Sequence, residues 1–155
     1  MERIAVFAGS FCPFTKGHED IVRRAAAIFD KVVVAVGHNP RKRDVFSVEE
    51  RVEWISGIYR GDTSVEVRAY EGLTVDFCKQ VGARFLVRGV RNTDDMAMEC
   101  EMALANRELC NDIETVVIFS DPEYHILSSS FVREIWSMGR DCSKYVSYKL
   151  PDPTS

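Results

Sequence analysis

The residues of this chain best suited to chemistry stand in one stretch, Gly9-Ser10-Phe11-Cys12-Pro13-Phe14-Thr15-Lys16-Gly17-His18. An apolar run, Ile4 to Ala8, precedes it, and an amphipathic run, Ile21 to Phe29, follows. The pattern is a strand, a glycine-bracketed loop and a helix whose first turn carries His18. The positive end of a helix dipole and the backbone N–H groups of such a loop converge on one point, where phosphate is the natural ligand. An imidazole there can donate to a phosphate oxygen and strengthen that bond as charge develops. It can equally be a helix-start residue with no chemical role, and the helix end disfavours its protonated form. The spacing excludes both G-x-G-x-x-G and the P-loop pattern G-x-x-x-x-G-K-[ST].

Three further clusters have the same taste for anions. Arg41-Lys42-Arg43 is a compact run of cations after the second strand. It is either a solvated loop or a set of point charges that neutralise a phosphate. Arg88-Gly89-Val90-Arg91-Asn92 sets two arginines around a glycine directly after a strand. Their guanidinium forks match phosphate oxygens, unless one is bound to Asp94 or Asp95. Ser128-Ser129-Ser130 opens a helix and is either a plain N-cap or a second anion cradle, with Arg133 one turn in. Taken alone, Glu99 is a surface carboxylate, and His38 and His125 are structural or solvent-facing. Cys12 is the only cysteine near the loop and has no evident activating base.

The elements that must position these groups alternate regularly. Strands read at Ile4 to Ala8, Lys31 to Gly37, Ser64 to Tyr70, Arg84 to Arg88 and Ile113 to Phe119. Between and after them come helices. Ser47-Val48-Glu49-Glu50 is a capping box ahead of an apolar face at Val48, Val52, Ile55 and Tyr59. Leu73 to Val81 is short and stops at Gly82. The helix opened by Thr93 carries Met98, Met102, Ala105 and Leu109 on one face, and the last runs from Ser128 to Met138. Five strand–helix alternations predict an α/β, doubly wound sheet of five parallel strands in a single domain, residues 1–155. Ligands of such sheets bind beyond the carboxyl ends of the strands, so the loops after Ala8, Gly37, Tyr70, Arg88 and Phe119 should share one face. From about residue 140 the chain reads as a short, mobile tail.

The bulk properties exclude several classes. The chain has 155 residues, 46% hydrophobic and 28% charged, and a net charge of -4. That balance disfavours an electrostatic nucleic-acid binder. Five cysteines without a C-x-x-C pair disfavour a disulfide framework or a zinc ribbon and suit a reducing compartment. The apolar run after Met1-Glu2-Arg3 is too short for a signal peptide, and no stretch has the length of a membrane span. The expected location is cytoplasmic. Two helix ends, a histidine, a lysine and two arginines form a clamp for a polyphosphate, which suits phosphoryl or nucleotidyl transfer.

Gly9-Ser10-Phe11-x-Pro13-x-Thr15-x-Gly17-His18 resembles the T/HxGH signature of the nucleotidyltransferase superfamily, and Ser128-Ser129-Ser130-Phe131-Val132-Arg133-Glu134 resembles its ISSS-type signature. With Arg88 to Asn92 and Ala105-Asn106-Arg107-Glu108-Leu109 between them, the chain is similar to bacterial phosphopantetheine adenylyltransferases from residue 3 to about 138. The resemblance implies a Rossmann-like fold and in-line attack by the phosphate of 4'-phosphopantetheine on the α-phosphorus of ATP. The products would be dephospho-coenzyme A and pyrophosphate, with Mg²⁺ as cofactor. It implies catalytic roles for His18, Lys42 and Arg91, and an acceptor site of Ser10, Lys42, Thr74 and Arg88. It implies an ATP site of Ser10, Phe11, His18, Gly89, Val90, Arg91 and Glu99 together with Tyr124, His125, Ile126, Leu127, Ser128, Ser129 and Ser130. Coenzyme A as a feedback ligand and assembly into a homohexamer are further implications, with no nucleic-acid or membrane partner. Two departures stand out. Cys12 occupies the place of the family's usual aspartate, leaving that role vacant or passed to Asp20. The C-terminal tail lacks a clear final helix.

Overall fold

A computed structural model describes residues 1–153 of the chain. Five parallel strands form one sheet: β1 (Ile4–Gly9), β2 (Lys31–Gly37), β3 (Val65–Tyr70), β4 (Phe85–Val90) and β5 (Glu114–Phe119), in the spatial order β3-β2-β1-β4-β5. The helices between and after them are α1 (Lys16–Ala26), α2 (Val48–Ile58), α3 (Thr74–Val81), α4 (Thr93–Leu109) and α5 (Ser129–Ser137). The strand order reverses beside β1, which makes the carboxyl ends of β1 and β4 the switch point where open α/β sheets hold ligands.

The central strands are β-branched and alanine-rich because both faces are covered. Val32, Val34 and Val36 pack with Phe7, Ile21 and Ile55 on one side, and Val33 and Ala35 with Val75, Cys78 and Leu86 on the other. Burial on both faces removes the polar alternation of a one-sided sheet. β2 is paired with β1 from Lys31 to Val36 and with β3 from Val32 to Gly37. β1 and β4 pair in register only at Ala5 with Phe85 and Val6 with Leu86, so the two strands part toward their carboxyl ends. Arg88 Nη1 donates to the carbonyl oxygen of Ala8 at 2.5 Å across the fork. A side chain thus replaces the backbone partner that the missing ladder would have supplied.

Three expectations from the sequence change. Arg88, Gly89 and Val90 lie within β4, which continues because it pairs with β5 as far as Val90 and Phe119; the loop begins at Arg91. Met98, Met102 and Leu109 of α4 are exposed, and the one buried residue of that helix is Glu99. Among the described residues the segment after Gly139 forms no helix, yet it is packed rather than frayed. Cys142 and Val146 are buried with Leu127 and Val132, and Tyr145, Tyr148 and Leu150 pack around them. Trp54 of α2 stacks on Tyr148 with ring centroids 5.2 Å apart, and Trp136 Nε1 donates to the Pro151 carbonyl at 2.7 Å. Apolar side chains spaced irregularly along a tail still gain by leaving water, without helical periodicity to announce it.

Candidate active site

The loop from β1 to α1 is held by its carbonyl groups. Arg51 Nη1 donates to Ser10 O (2.5 Å), Arg133 Nη1 to Cys12 O (2.6 Å), Ser129 Oγ to Pro13 O (2.8 Å) and Tyr148 Oη to Phe14 O (2.5 Å). The donors come from α2, α5 and the tail. Phe11 at the centre has φ of 47°, a left-handed conformation that is costly for a bulky residue and persists only where its surroundings enforce it. Close packing adds to that enforcement: a Cβ on Gly9 would sit 3.0 Å from the Phe11 ring, and one on Gly89 3.0 Å from Ile21 of α1.

His18 is fixed at both ends of the helix cap. The Thr15 N–H donates to His18 Nδ1 at 2.9 Å, and the His18 N–H donates to Thr15 Oγ1 at 3.3 Å. Because Nδ1 accepts from a backbone N–H, the ring proton of the neutral imidazole resides on Nε2. The ring stacks on Phe14 (centroids 5.2 Å) and meets Phe11 edge-on (5.0 Å). Desolvation in this aromatic surround, followed by the charges of Arg88 and Arg91, pulls its pKa from 6.5 down to about 3. At neutral pH it is therefore an uncharged Nε2–H donor, which resolves the charge state that the sequence leaves open.

Two cavities meet at the carboxyl end of β1. The smaller, about 330 Å³, has Phe11, His18, Arg91, Glu99, Tyr124 and Ser128 in its wall. The larger, about 790 Å³, has His38, Arg41, Lys42, Tyr70, Thr74 and Asn106. Ala8, Gly9, Ser10 and Arg88 belong to both. The loops after all five strands thus come to one face as expected. Gly89, Leu127 and Ser129 also line the smaller cavity. Val90, His125, Ile126 and Ser130 do not: Val90 is buried in the sheet, Ile126 is exposed, and Ser130 Oγ accepts from Arg133.

Charge is arranged differently from the sequence reading. Arg88 forms a two-pronged pair with Glu99, Nε to Oε2 at 2.7 Å and Nη2 to Oε1 at 3.0 Å. Glu99 is 7% exposed and is no surface carboxylate. Arg91 is bound to Asp95, Nε to Oδ2 at 3.0 Å. Burial works to raise the Asp95 carboxyl, but the hydrogen bonds and charge of Arg91 overcome it and hold its pKa below the usual value. Arg133 reaches the Cys12 carbonyl. The N–H groups at the start of α1 are largely used: that of Lys16 donates to Tyr145 O at 2.8 Å, and that of His18 to Thr15. Among the described residues those of Ser129 and Ser130 have no protein acceptor, so the open anion cradle is at α5. Asp20 cannot take the place of a carboxylate at Cys12, because Arg23 and Arg24 bind it outside both cavities.

Arg51 escaped the sequence reading. It is 1% exposed and also donates to Gly37 O (3.0 Å), Phe46 O (3.1 Å) and Asp44 (3.2 Å), tying the loops after β1 and β2 together. Its spacing from Val48 and Ile55 puts it on the apolar face of α2, and that is the signal that could have revealed it. Asp95, Met102 and Asn106 were missed likewise. With Glu99 they recur along α4 at helical spacing and line the two cavities.

The cytidylyltransferase-like family matches residues 6–135 of the chain. A phosphopantetheine adenylyltransferase of Cytophaga hutchinsonii is 43% identical over 97% of this chain and 100% of its own length. One of Porphyromonas gingivalis is 47% identical over 94% of each. Among solved structures, a bifunctional NMN adenylyltransferase/ADP ribose pyrophosphatase from Francisella tularensis superposes with a TM-score of 0.71 at 17% identity. The match covers 97% of this chain and 46% of that one, and at such identity it speaks for the shared fold. By its family match and by relatives alike along nearly its whole length, this chain belongs to the cytidylyltransferase-like family and, within it, to the phosphopantetheine adenylyltransferases.

Proposed function

We propose that the chain transfers the adenylyl group of ATP to the phosphate of 4'-phosphopantetheine, giving dephospho-coenzyme A and pyrophosphate. The observation that carries this reading is the meeting of two cavities at Ser10 and Arg88, beside a neutral His18 Nε2–H donor. Two phosphorylated substrates that react with each other need two pockets with one common wall. The attacking phosphate is already ionised, so the protein needs no strong base, and its work is positioning and charge stabilisation.

In this reading Lys42 and Arg88 hold the acceptor phosphate, and the segment at Thr74 lies along the acceptor's arm. Ser10 contacts both substrates. Phe11, Gly89, Arg91, Glu99, Tyr124, Leu127, Ser128 and Ser129 serve ATP, with the α5 N-terminus at its β- and γ-phosphates. His18 donates to the α-phosphoryl oxygen as charge gathers on it, and Arg91 adds positive potential. Among the described residues no cluster of His, Cys, Asp or Glu is arranged to hold a metal ion, and Glu99 and Asp95 are each engaged by arginine. With these carboxylates engaged, a Mg²⁺ would enter with the nucleotide and would be held chiefly by phosphate oxygens and water. When bound it offsets charge on the leaving pyrophosphate.

The same proposal includes a single domain, a cytoplasmic location, coenzyme A as a feedback ligand and assembly into a homohexamer. No helix is long and apolar enough to cross a membrane among the described residues. Exposed Met98, Leu104 and Leu109 on α4 and Phe119 at the end of β5 support self-association. The test is pyrophosphate release on mixing the protein with ATP, Mg²⁺ and phosphopantetheine. Release is expected only with that acceptor; turnover restricted to nicotinate mononucleotide, or none with any acceptor, overturns the reading.

A further inference from the structure

The tail after Gly139 touches the catalytic loop at the two residues that flank the His18 cap. Tyr148 Oη donates to the Phe14 carbonyl, and the Tyr145 carbonyl accepts from the Lys16 N–H at 2.8 Å. Between those two contacts lies Thr15, fully buried, whose N–H orients the imidazole through Nδ1. Phe14 itself stacks on the imidazole. Ser147 Oγ adds a bond to Glu19 Oε2, one residue beyond His18. The Tyr148 ring is held against Trp54 of α2 and carries no other hydrogen bond among the described residues. We propose that Tyr148 is a positioning residue for adenylyl transfer, acting through the Phe14 carbonyl to hold the Thr15–His18 cap and so the direction of the His18 Nε2–H bond.

The Thr15 N–H and the Phe14 carbonyl share one peptide unit, and a planar peptide turns as a whole. Fixing the carbonyl oxygen from outside fixes the N–H that points to Nδ1. Loss of the tyrosine hydroxyl frees that plane to rotate, and the imidazole rotates with it. Small misplacement of a donor lowers transition-state stabilisation more than substrate binding.

This inference rests on the reading of His18 as the donor at transfer, and the two can be tested apart. Tyr148→Phe in the full chain keeps the stack on Trp54 and removes one hydroxyl. It is expected to shift the His18 imidazole ¹⁵N resonances and to lower kcat about tenfold, with KM for both substrates within twofold. Trp136→Phe loosens the same tail at Pro151 without touching the loop, and is expected to leave both readouts unchanged. Unaltered His18 resonances in Tyr148→Phe would overturn the proposal, as would equal shifts in Trp136→Phe, which would reveal a general loosening. His18→Ala reports on the other reading: full turnover in that variant removes the donor role of His18, whatever the resonances of Tyr148→Phe show about its orientation.

Discussion

The two halves of the site treat positive charge in opposite ways. In the smaller cavity each arginine already has a carboxylate partner, Arg88 with Glu99 and Arg91 with Asp95. The larger cavity shares Arg88 but adds Arg41 and Lys42, which stand on an exposed loop and have no ion pair among the described residues. Paired guanidinium groups are held in one geometry before substrate arrives, as electrostatic stabilisation of a transition state requires. Exposed loop cations stay hydrated, and suit recognition of a phosphate that must enter and leave. On the proposed reading the paired guanidinium of Arg91 would serve reaction and the unpaired cations after β2 would serve capture, with Arg88 shared by both cavities.

The contrast can be broken by mutation. On the reaction side, His18→Ala should reduce turnover by about 10²–10³ while ATP affinity, measured by calorimetry, changes only a few-fold. Arg88→Ala should unfold at markedly lower urea concentration, by about 3 kcal/mol, because buried Glu99 loses its partner. An Arg88→Ala protein as stable as the parent would show that the pair is not structurally fixed, and the comparison would fail.

Acid offers a third handle. The folded pKa of His18 is depressed to about 3 from 6.5, so between these values the unfolded chain binds the extra proton. Stability is then full above pH 6.5 and falls as pH drops toward 3, by on the order of 2 kcal/mol at pH 4.5. Urea midpoints at the two pH values should show the loss, and His18→Gln should flatten it. The smallest effect is expected on the capture side. Lys42→Ala should raise the KM for the acceptor about tenfold, with stability within about 0.5 kcal/mol of the parent. A loss confined to ATP affinity would move Lys42 to the other half.

Much of this molecule was legible in its sequence. Alternating strand and helix patterns sufficed for the five-stranded parallel sheet, because burial on both faces leaves β-branched runs such as Lys31–Gly37 and buried helix faces leave a period of 3.6. The Ser47 capping box was legible for the same local reason and is present. The loop from Gly9 to His18 announced itself by residue type. Less legible was what each charged group does. Arg88 and Arg91 read as phosphate forks unless one was bound to Asp94 or Asp95, which holds for Arg91, and Glu99 taken alone read as a surface residue. The stripe through Asp95, Glu99 and Met102 lines the site, although helical periodicity alone reads its Met98–Met102 side as core. The tail after Gly139 has no period at all, and its packing against α2 and α5 left no local trace.

Sequence by itself determined the elements, their order and the place of the loop from Gly9 to His18, since these follow from propensities and periods among near neighbours. Tertiary structure decided the rest. The parting of β1 from β4 opens the crevice; the bond from Arg88 to the Ala8 carbonyl spans 80 residues and that from Tyr148 to the Phe14 carbonyl spans 134. No local rule relates such positions. They meet only because the sheet order brings β4 beside β1 and the tail across the mouth of α1, and the charge state and direction of His18 depend on those meetings.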